Sequence, residues 1–209
     1  RNNCGNAAEN IVAAVNSLTG LKIEHIASFN FEGFEKIIDS FNGITICVDR
    51  TQREGFSFEL QKGCQKVSGA TALNWTRSRN TEILIGEKII DENGNDNSEW
   101  KKMANVSDLS RVDRQQYLVI QLLSELENFS SFGELLQFIQ ALEETFVVDE
   151  GLSINKATNI LWGLRSIDLN SLTKLTVPTT PYELDDGRQV LILDGNFYDF
   201  AEENLLIDE

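Results

Sequence analysis

The feature that most constrains the fold is a repeated switch of hydrophobic period in the early part of the chain. Residues 6 to 19, N-A-A-E-N-I-V-A-A-V-N-S-L-T, place apolar side chains at helical spacing and stop at Gly20. A strand pattern follows in I-E-H-I-A-S-F-N-F, a helical one near F-E-K-I-I-D-S-F, and a strand again at I-T-I-C-V. Each element has one apolar face to cover. Alternation of this kind predicts an α/β domain, layered α-β-α, with a central mixed sheet flanked by helices. The chain has 209 residues, 41% of them hydrophobic, enough for a real core. No repeat or low-complexity linker divides it, so residues 1–209 read as a single domain. The polar segment 80–106, with D-E-N-G-N-D-N-S at its centre, reads as an exposed insertion loop within it.

Ser68 is placed to cap a short helix, A-T-A-L-N-W, that runs directly into Arg77 and Arg79. Beyond the insertion, S-D-L-S-R-V-D-R-Q-Q-Y-L-V-I-Q-L-L-S-E-L predicts a strong helix with Val112, Val119, Leu122, Leu123 and Leu126 on its buried face. Further helices are expected near 132–143 and 154–164. Leu118, Val119 and Leu122, with Leu135, Leu136 and Ile139, form apolar faces that suit core packing better than an open groove. Strands are expected in L-T-K-L-T-V-P-T and R-Q-V-L-I-L-D, and a last acidic helix in N-F-Y-D-F-A-E-E-N-L.

Several function classes are excluded early. A net charge of -15, from 33 acidic and 18 basic side chains, argues against nucleic acid as a partner and against general attraction to anionic lipid. Any bound anion needs a local cluster. There is no apolar run long enough to cross a bilayer and no signal-peptide pattern, and a chain that starts at Arg1 reads as trimmed. His25 is the only histidine, which removes most Ser-His and Cys-His catalysis, and it reads as a packed or surface residue. Cys4, Cys47 and Cys64 match no close-set zinc pattern. Cys47 and Cys64 flank a hairpin-like segment, and a bridge there would add about 3 kcal/mol by restricting the unfolded chain. Spacing alone leaves two buried thiols equally open. Cys4 is then left over, as a free thiol or with a partner in sequence beyond this chain.

The basic residues carry the chemistry. Extended backbone after Trp75 would set Arg77 and Arg79 on one side, able to grip one anion together. Arg111 and Arg114 are stranger, because they lie at the start of a helix whose positive dipole end disfavours cations. Asp108 is placed as its N-cap, and Arg111 and Gln115 are four apart on one face. An anion at that helix start would be attracted by the dipole, the free N–H groups and the arginines together. Two guanidinium pairs and a helix N-terminus suit a pyrophosphate, since each planar fork takes phosphate oxygens bidentately. An isolated R-x-R would more often pair with surface carboxylates; together with D-x-x-R-x-x-R-Q it points to a site.

The segment G-C-Q-K-V-S-G-A-T-A-L-N-W-T-R-S-R, followed by D-L-S-R-V-D-R-Q-Q, resembles the LytR-CpsA-Psr family. The similarity extends upstream through L-T-G-L-K-I-E-H and F-N-F-E-G-F-E-K-I-I-D-S-F-N-G-I-T-I-C-V and downstream to L-T-V-P-T-T-P-Y. The resemblance implies a membrane-anchored enzyme on the outer face of the Gram-positive cell membrane. Such enzymes move a glycopolymer from an undecaprenyl-pyrophosphate carrier onto peptidoglycan or a cell-wall glycoprotein, assisted by Mg²⁺. By motif, Arg77, Arg79, Arg111 and Gln115 would surround the pyrophosphate, Asp108 would orient the arginines, and Arg114 would belong to the same substrate-binding set. The Cys47 and Cys64 spacing and the long insertion resemble actinobacterial members, which implies a disulfide between these cysteines.

The family's early strands, with an acidic metal-site residue, and its membrane helix are expected before residue 1, so the catalytic domain reads as incomplete at its N-terminus. A non-catalytic polyprenyl-pyrophosphate binding module is the alternative function. A transcriptional attenuator is a further one, which the negative charge opposes. N-W-T, N-V-S and N-F-S fit a glycosylation triplet, a weak signal in a bacterial protein. Lys101 and Lys102 beside Trp100 read as a solvated loop in preference to a contact for an anionic polymer.

Overall fold

Helices begin where a short polar side chain accepts a hydrogen bond from an otherwise unpaired N–H of the first turn. Asn30 accepts from Gly33, Ser68 from Thr71, Ser131 from Glu134 and Ser153 from Lys156. The computed structural model describes residues 3–103, 108–172 and 176–205. In chain order the elements are α1 (Asn3–Thr19), β1 (Ala27–Phe29), α2 (Phe31–Ser40), β2 (Ile44–Val48), β3 (Gln52–Glu54), β4 (Phe58–Leu60) and β5 (Gly63–Val67). There follow α3 (Gly69–Arg77), β6 (Glu82–Ile85), β7 (Glu99–Lys102), α4 (Asp108–Glu125), α5 (Phe132–Ala141), β8 (Phe146–Val148) and α6 (Ile154–Leu164). β9 (Thr179–Glu183), β10 (Gln189–Leu193) and α7 (Phe197–Leu205) complete the chain.

The α/β class expected from the periodicity is the one observed. In place of one central mixed sheet, the described strands form four sheets: β1-β8, β2-β5, β9-β10 and β4-β3-β6-β7. Every pairing among the described strands is antiparallel. The chain also packs as two compact units where the sequence reads as one domain: residues 27–170, and a unit built from 1–26 and 171–209. The second unit joins the two ends of the chain, so no break in composition marks it. It contains the β9-β10 hairpin, and α1 packs on α7. Residues 173–175, inside a segment expected to form a strand, lie outside the described residues.

Within the 27–170 unit, β2 alternates as a half-buried strand should. Ile44, Ile46 and Val48 face inward and Cys47 faces out. Cys64 is directly opposite Cys47 in the antiparallel register, and the two are joined in a disulfide. The side chain of Cys4 lies outside the described residues. The inner face of β2 builds the core with Ile38 of α2, Phe58 and Leu60 of β4, Ala72 and Trp75 of α3, and Leu118 of α4. A second cluster gathers Leu126, Phe129 and Leu135, with Phe41, Phe138, Ile139 and Leu161 packed against it. Leu118 and Leu135 are therefore core residues.

Two expectations are corrected by the packing. Val112 and Val119 are exposed, at 41% and 56%, while Leu118 is 2% exposed and Leu126 5%. The buried face of α4 is turned so that Arg114 and Leu118 point inward, because α3 and the turn after it supply acceptors for the Arg114 guanidinium. Segment 80–106 is polar but not a simple loop. β6 and β7 pair antiparallel, and β6 also pairs with β3. Arg53 of β3 donates to Glu82 Oε2 at 3.0 Å and to Asp96 Oδ2 at 2.6 Å, and stacks 3.8 Å over the Trp100 ring. Trp100 in turn donates to Asp96 Oδ2 at 3.0 Å, and Lys88 pairs with Glu59. Residues 104–106 of this segment lie outside the described residues.

Candidate functional site

The site is built on α3. Gly69, its first residue, sits so close to α2 that a Cβ would lie 2.4 Å from the Glu35 carbonyl oxygen. Asp39 of α2 accepts the Gly69 N–H at 2.7 Å. These two contacts fix where α3 starts. Trp75, two residues before its end, is 6% exposed, donates to Gln52 Oε1 at 3.3 Å and meets the Tyr117 ring edge-on. Tyr117 also ties α4 to β2, accepting from the Cys47 N–H and donating to the Thr45 carbonyl.

Arg77 is the last residue of α3, so the extended backbone expected there begins only at Ser78, with φ -57° and ψ 133°. Both arginines are nevertheless exposed. Ser78 is 2% exposed and its hydroxyl is 2.7 Å from that of Thr81, itself fully buried. Arg77 and Arg79 are left outside on either side of it. The Arg77 guanidinium lies 3.9 Å from the centroid of the Phe31 ring, a cation–π contact. The turn is held from the sheet as well: Asn80 N–H donates to Glu54 at 3.2 Å and Met103 N–H to the Thr81 carbonyl at 2.9 Å.

Arg114 has a different place from the one expected by motif. It is 7% exposed, its Nη1 donates to the Trp75 carbonyl at 2.8 Å and its Nη2 to Thr81 Oγ1 at 3.1 Å. Donors spent on the protein's own turn are not presented to a ligand. Burial lowers the Arg114 pKa, and the charge of Glu54 works against that shift. The contact also brings the two motif halves together, because it joins the end of α3 to the second turn of α4.

Arg111 is half-buried one turn before Arg114, and Gln115 is exposed four residues after Arg111. Asp108 opens α4, but its side chain lies outside the described residues. Arg114 thus ties the turn that carries exposed Arg77 and Arg79 to the helix that carries Arg111 and Gln115. Among the described residues no group of three or more His, Cys, Asp or Glu side chains is placed to hold a metal ion. No helix among them is long and apolar enough to cross a membrane.

Sequence reasoning missed Phe31, Ser78 and Thr81. The aromatic in F-N-F-E carries no local sign that it supports an arginine far along the chain. Ser78 and Thr81 look like ordinary turn residues until burial shows that they line the inside of the turn.

The LytR_cpsA_psr family model matches residues 3–86. Over these residues the chain is similar to the LytR-CpsA-Psr family. The matched segment contains Arg77 and Arg79 and ends before Arg111, Arg114 and Gln115. The cell wall biosynthesis protein LcpA of Corynebacterium glutamicum is 25% identical over 194 residues, 90% of this chain and 33% of LcpA. The chain therefore spans about a third of that relative's length. Among solved structures, the LytR-Csp2A-Psr enzyme from Actinomyces oris is similar with a TM-score of 0.69 and 22% identity, covering 93% of this chain and 68% of that one. TagT bound to LIIa-WTA, a protein of B. subtilis, is similar with a TM-score of 0.65 and 17% identity, over 93% of this chain and 64% of TagT. At such identity the structural likeness shows the shared α/β fold.

Proposed function

We propose that the protein is a cell-envelope phosphotransferase that moves a glycopolymer from an undecaprenyl-pyrophosphate carrier onto peptidoglycan or a cell-wall glycoprotein. The observation that carries this reading is the exposed pair Arg77 and Arg79, held at the end of α3 by a buried turn and joined through Arg114 to the helix of Arg111 and Gln115. The family match over residues 3–86, the name of LcpA and the wall-teichoic-acid ligand named for TagT support it.

In the proposed reaction an acceptor sugar hydroxyl attacks the phosphorus next to the glycopolymer. The new oxygen–phosphorus bond forms as the bond to undecaprenyl phosphate breaks, and the hydroxyl proton passes to a base or to solvent. Arg77, Arg79 and Arg111 bind pyrophosphate oxygens and offset the charge that builds on the leaving phosphate, while Gln115 orients the same group by hydrogen bonding. Catalysis of this kind is positioning and electrostatics, so a Ser-His nucleophile is not required. Mg²⁺ would supply further charge neutralisation as part of the proposal. The described residues do not form a metal site.

The test is Mg²⁺-dependent transfer from a pyrophosphate-linked glycan, measured for the wild type and for Arg77→Ala and Arg111→Ala. Each substitution is expected to lower turnover about 10²- to 10³-fold with the circular dichroism spectrum unchanged. Folded variants with wild-type turnover would refute the assignment, and binding without transfer by the wild type would favour the carrier-binding module.

A further inference from the structure

A guanidinium in a protein core is costly to bury, and among the described residues Arg114 donates to two neutral acceptors, the Trp75 carbonyl and the Thr81 hydroxyl. Trp75 O is one of the last carbonyls of α3, at the negative end of its dipole, and its backbone partner is the Ser78 cap N–H at a long 3.4 Å. The Arg114 cation caps that end. Its second nitrogen reaches past the helix to Thr81, whose hydroxyl meets that of Ser78. One planar side chain of α4 thereby grips both ends of the turn that displays Arg77 and Arg79.

We infer that Arg114 is a positioning residue, which locks the 75–81 turn against α4 and so fixes the direction in which Arg77 and Arg79 are presented. The inference rests on the proposed role of those two arginines in binding pyrophosphate. It separates Arg114 from Arg111 and Gln115, with which the motif groups it. A lysine cannot reproduce the function, because its single ammonium lacks the two divergent donors of the fork. Loss of the lock frees Ser78 and Thr81 to turn outward, and the arginine pair then samples many directions where it had one.

The experiment combines two measurements on the full chain and on its Arg114→Lys, Arg114→Met and Thr81→Val variants. Calorimetric titration with inorganic pyrophosphate is made well below each variant's melting temperature, with Arg77→Ala as the binding-defective control. Hydrogen exchange is followed at the amides of Ser78 and Met103, which bond to Trp75 O and Thr81 O. Arg114→Lys is expected to weaken pyrophosphate binding about tenfold and to speed exchange at both amides, while the core amides of β2 stay protected. Thr81→Val, which keeps the shape and removes the hydroxyl, is expected to act in the same direction to a smaller degree, and it carries the test if the Arg114 variants do not fold. A lower melting temperature with unchanged affinity and unchanged exchange at Ser78 and Met103 would reduce Arg114 to a stabilising residue and overturn the inference. If the wild type fails to bind pyrophosphate, the proposed function loses its clamp; the exchange data then decide, with faster exchange upholding the lock and unchanged exchange overturning it.

Discussion

Gly69→Ala sets two effects of opposite sign against each other. In a helix, replacing Gly by Ala lowers backbone entropy in the unfolded chain and is worth up to about 1 kcal/mol in favour of folding. At Gly69 the new Cβ would lie 2.4 Å from the Glu35 carbonyl oxygen and 2.6 Å from the Glu35 Cα. Both are backbone atoms of α2, so relief requires the two helices to part by about 1 Å in a densely packed interior. Overpacking of this kind costs about 1–3 kcal/mol, and the shift also weakens the hydrogen bond to Asp39, worth about 1.5–3 kcal/mol for a charged acceptor. The net expectation is a loss of about 2–4 kcal/mol.

Urea unfolding is the assay, read as a lower midpoint at constant slope. Gly163→Ala in α6 is the control, because nothing lies within 4 Å of its Cβ position and the propensity gain should stand alone. Gly69→Ala at least as stable as wild type, or Gly163→Ala equally destabilised, would refute the close-approach reasoning. Since α3 ends at Arg77, folded Gly69→Ala should also bind pyrophosphate more weakly than wild type.

Phe31→Ala should leave the fold intact, since the ring is 57% exposed, and weaken pyrophosphate binding by roughly two- to fivefold through loss of the cation–π contact. Phe31→Trp should restore it, and equal affinities across the three proteins would remove Phe31 from the site. Replacing Cys47 and Cys64 together by serine should cost about 3 kcal/mol in urea unfolding, given a separation of 17 residues; an unchanged midpoint would show that the hairpin is already restricted without the bond. Asp96 is lowered to about 2, first by its hydrogen bonds from Ser98, then by Trp100 and Arg53. A depressed carboxylate adds stability above its unfolded pKa and loses it as pH falls through the folded one. The Arg53 contact should therefore hold at pH 4 and give way toward pH 2, seen as a change in Trp100 emission that an Asp96→Asn variant lacks.

Legibility differed from element to element for physical reasons. Caps and long periodic helices were readable because their signals are local: Ser68 announces α3, and Gly20 marks the stop of α1. β6 and β7 were not, because E-I-L-I and E-W-K-K are short, flanked by charge, and anchored by Arg53 from a strand far earlier in the chain. On α4 the apolar residues allow more than one buried face. The choice depends on Arg114, whose burial is tolerable only because α3 supplies a carbonyl and the following turn a hydroxyl.

The sequence by itself determined the α/β class, the Ser68 start of α3 and the arginine motif, since these follow from periodicity, capping chemistry and residue spacing. Only the tertiary structure decided which arginines face outward. Arg77, Arg79 and Arg114 are the same side chain with the same charge, and their roles separate because Ser78 and Thr81 are buried and the Arg114 guanidinium is spent on Trp75 O and Thr81.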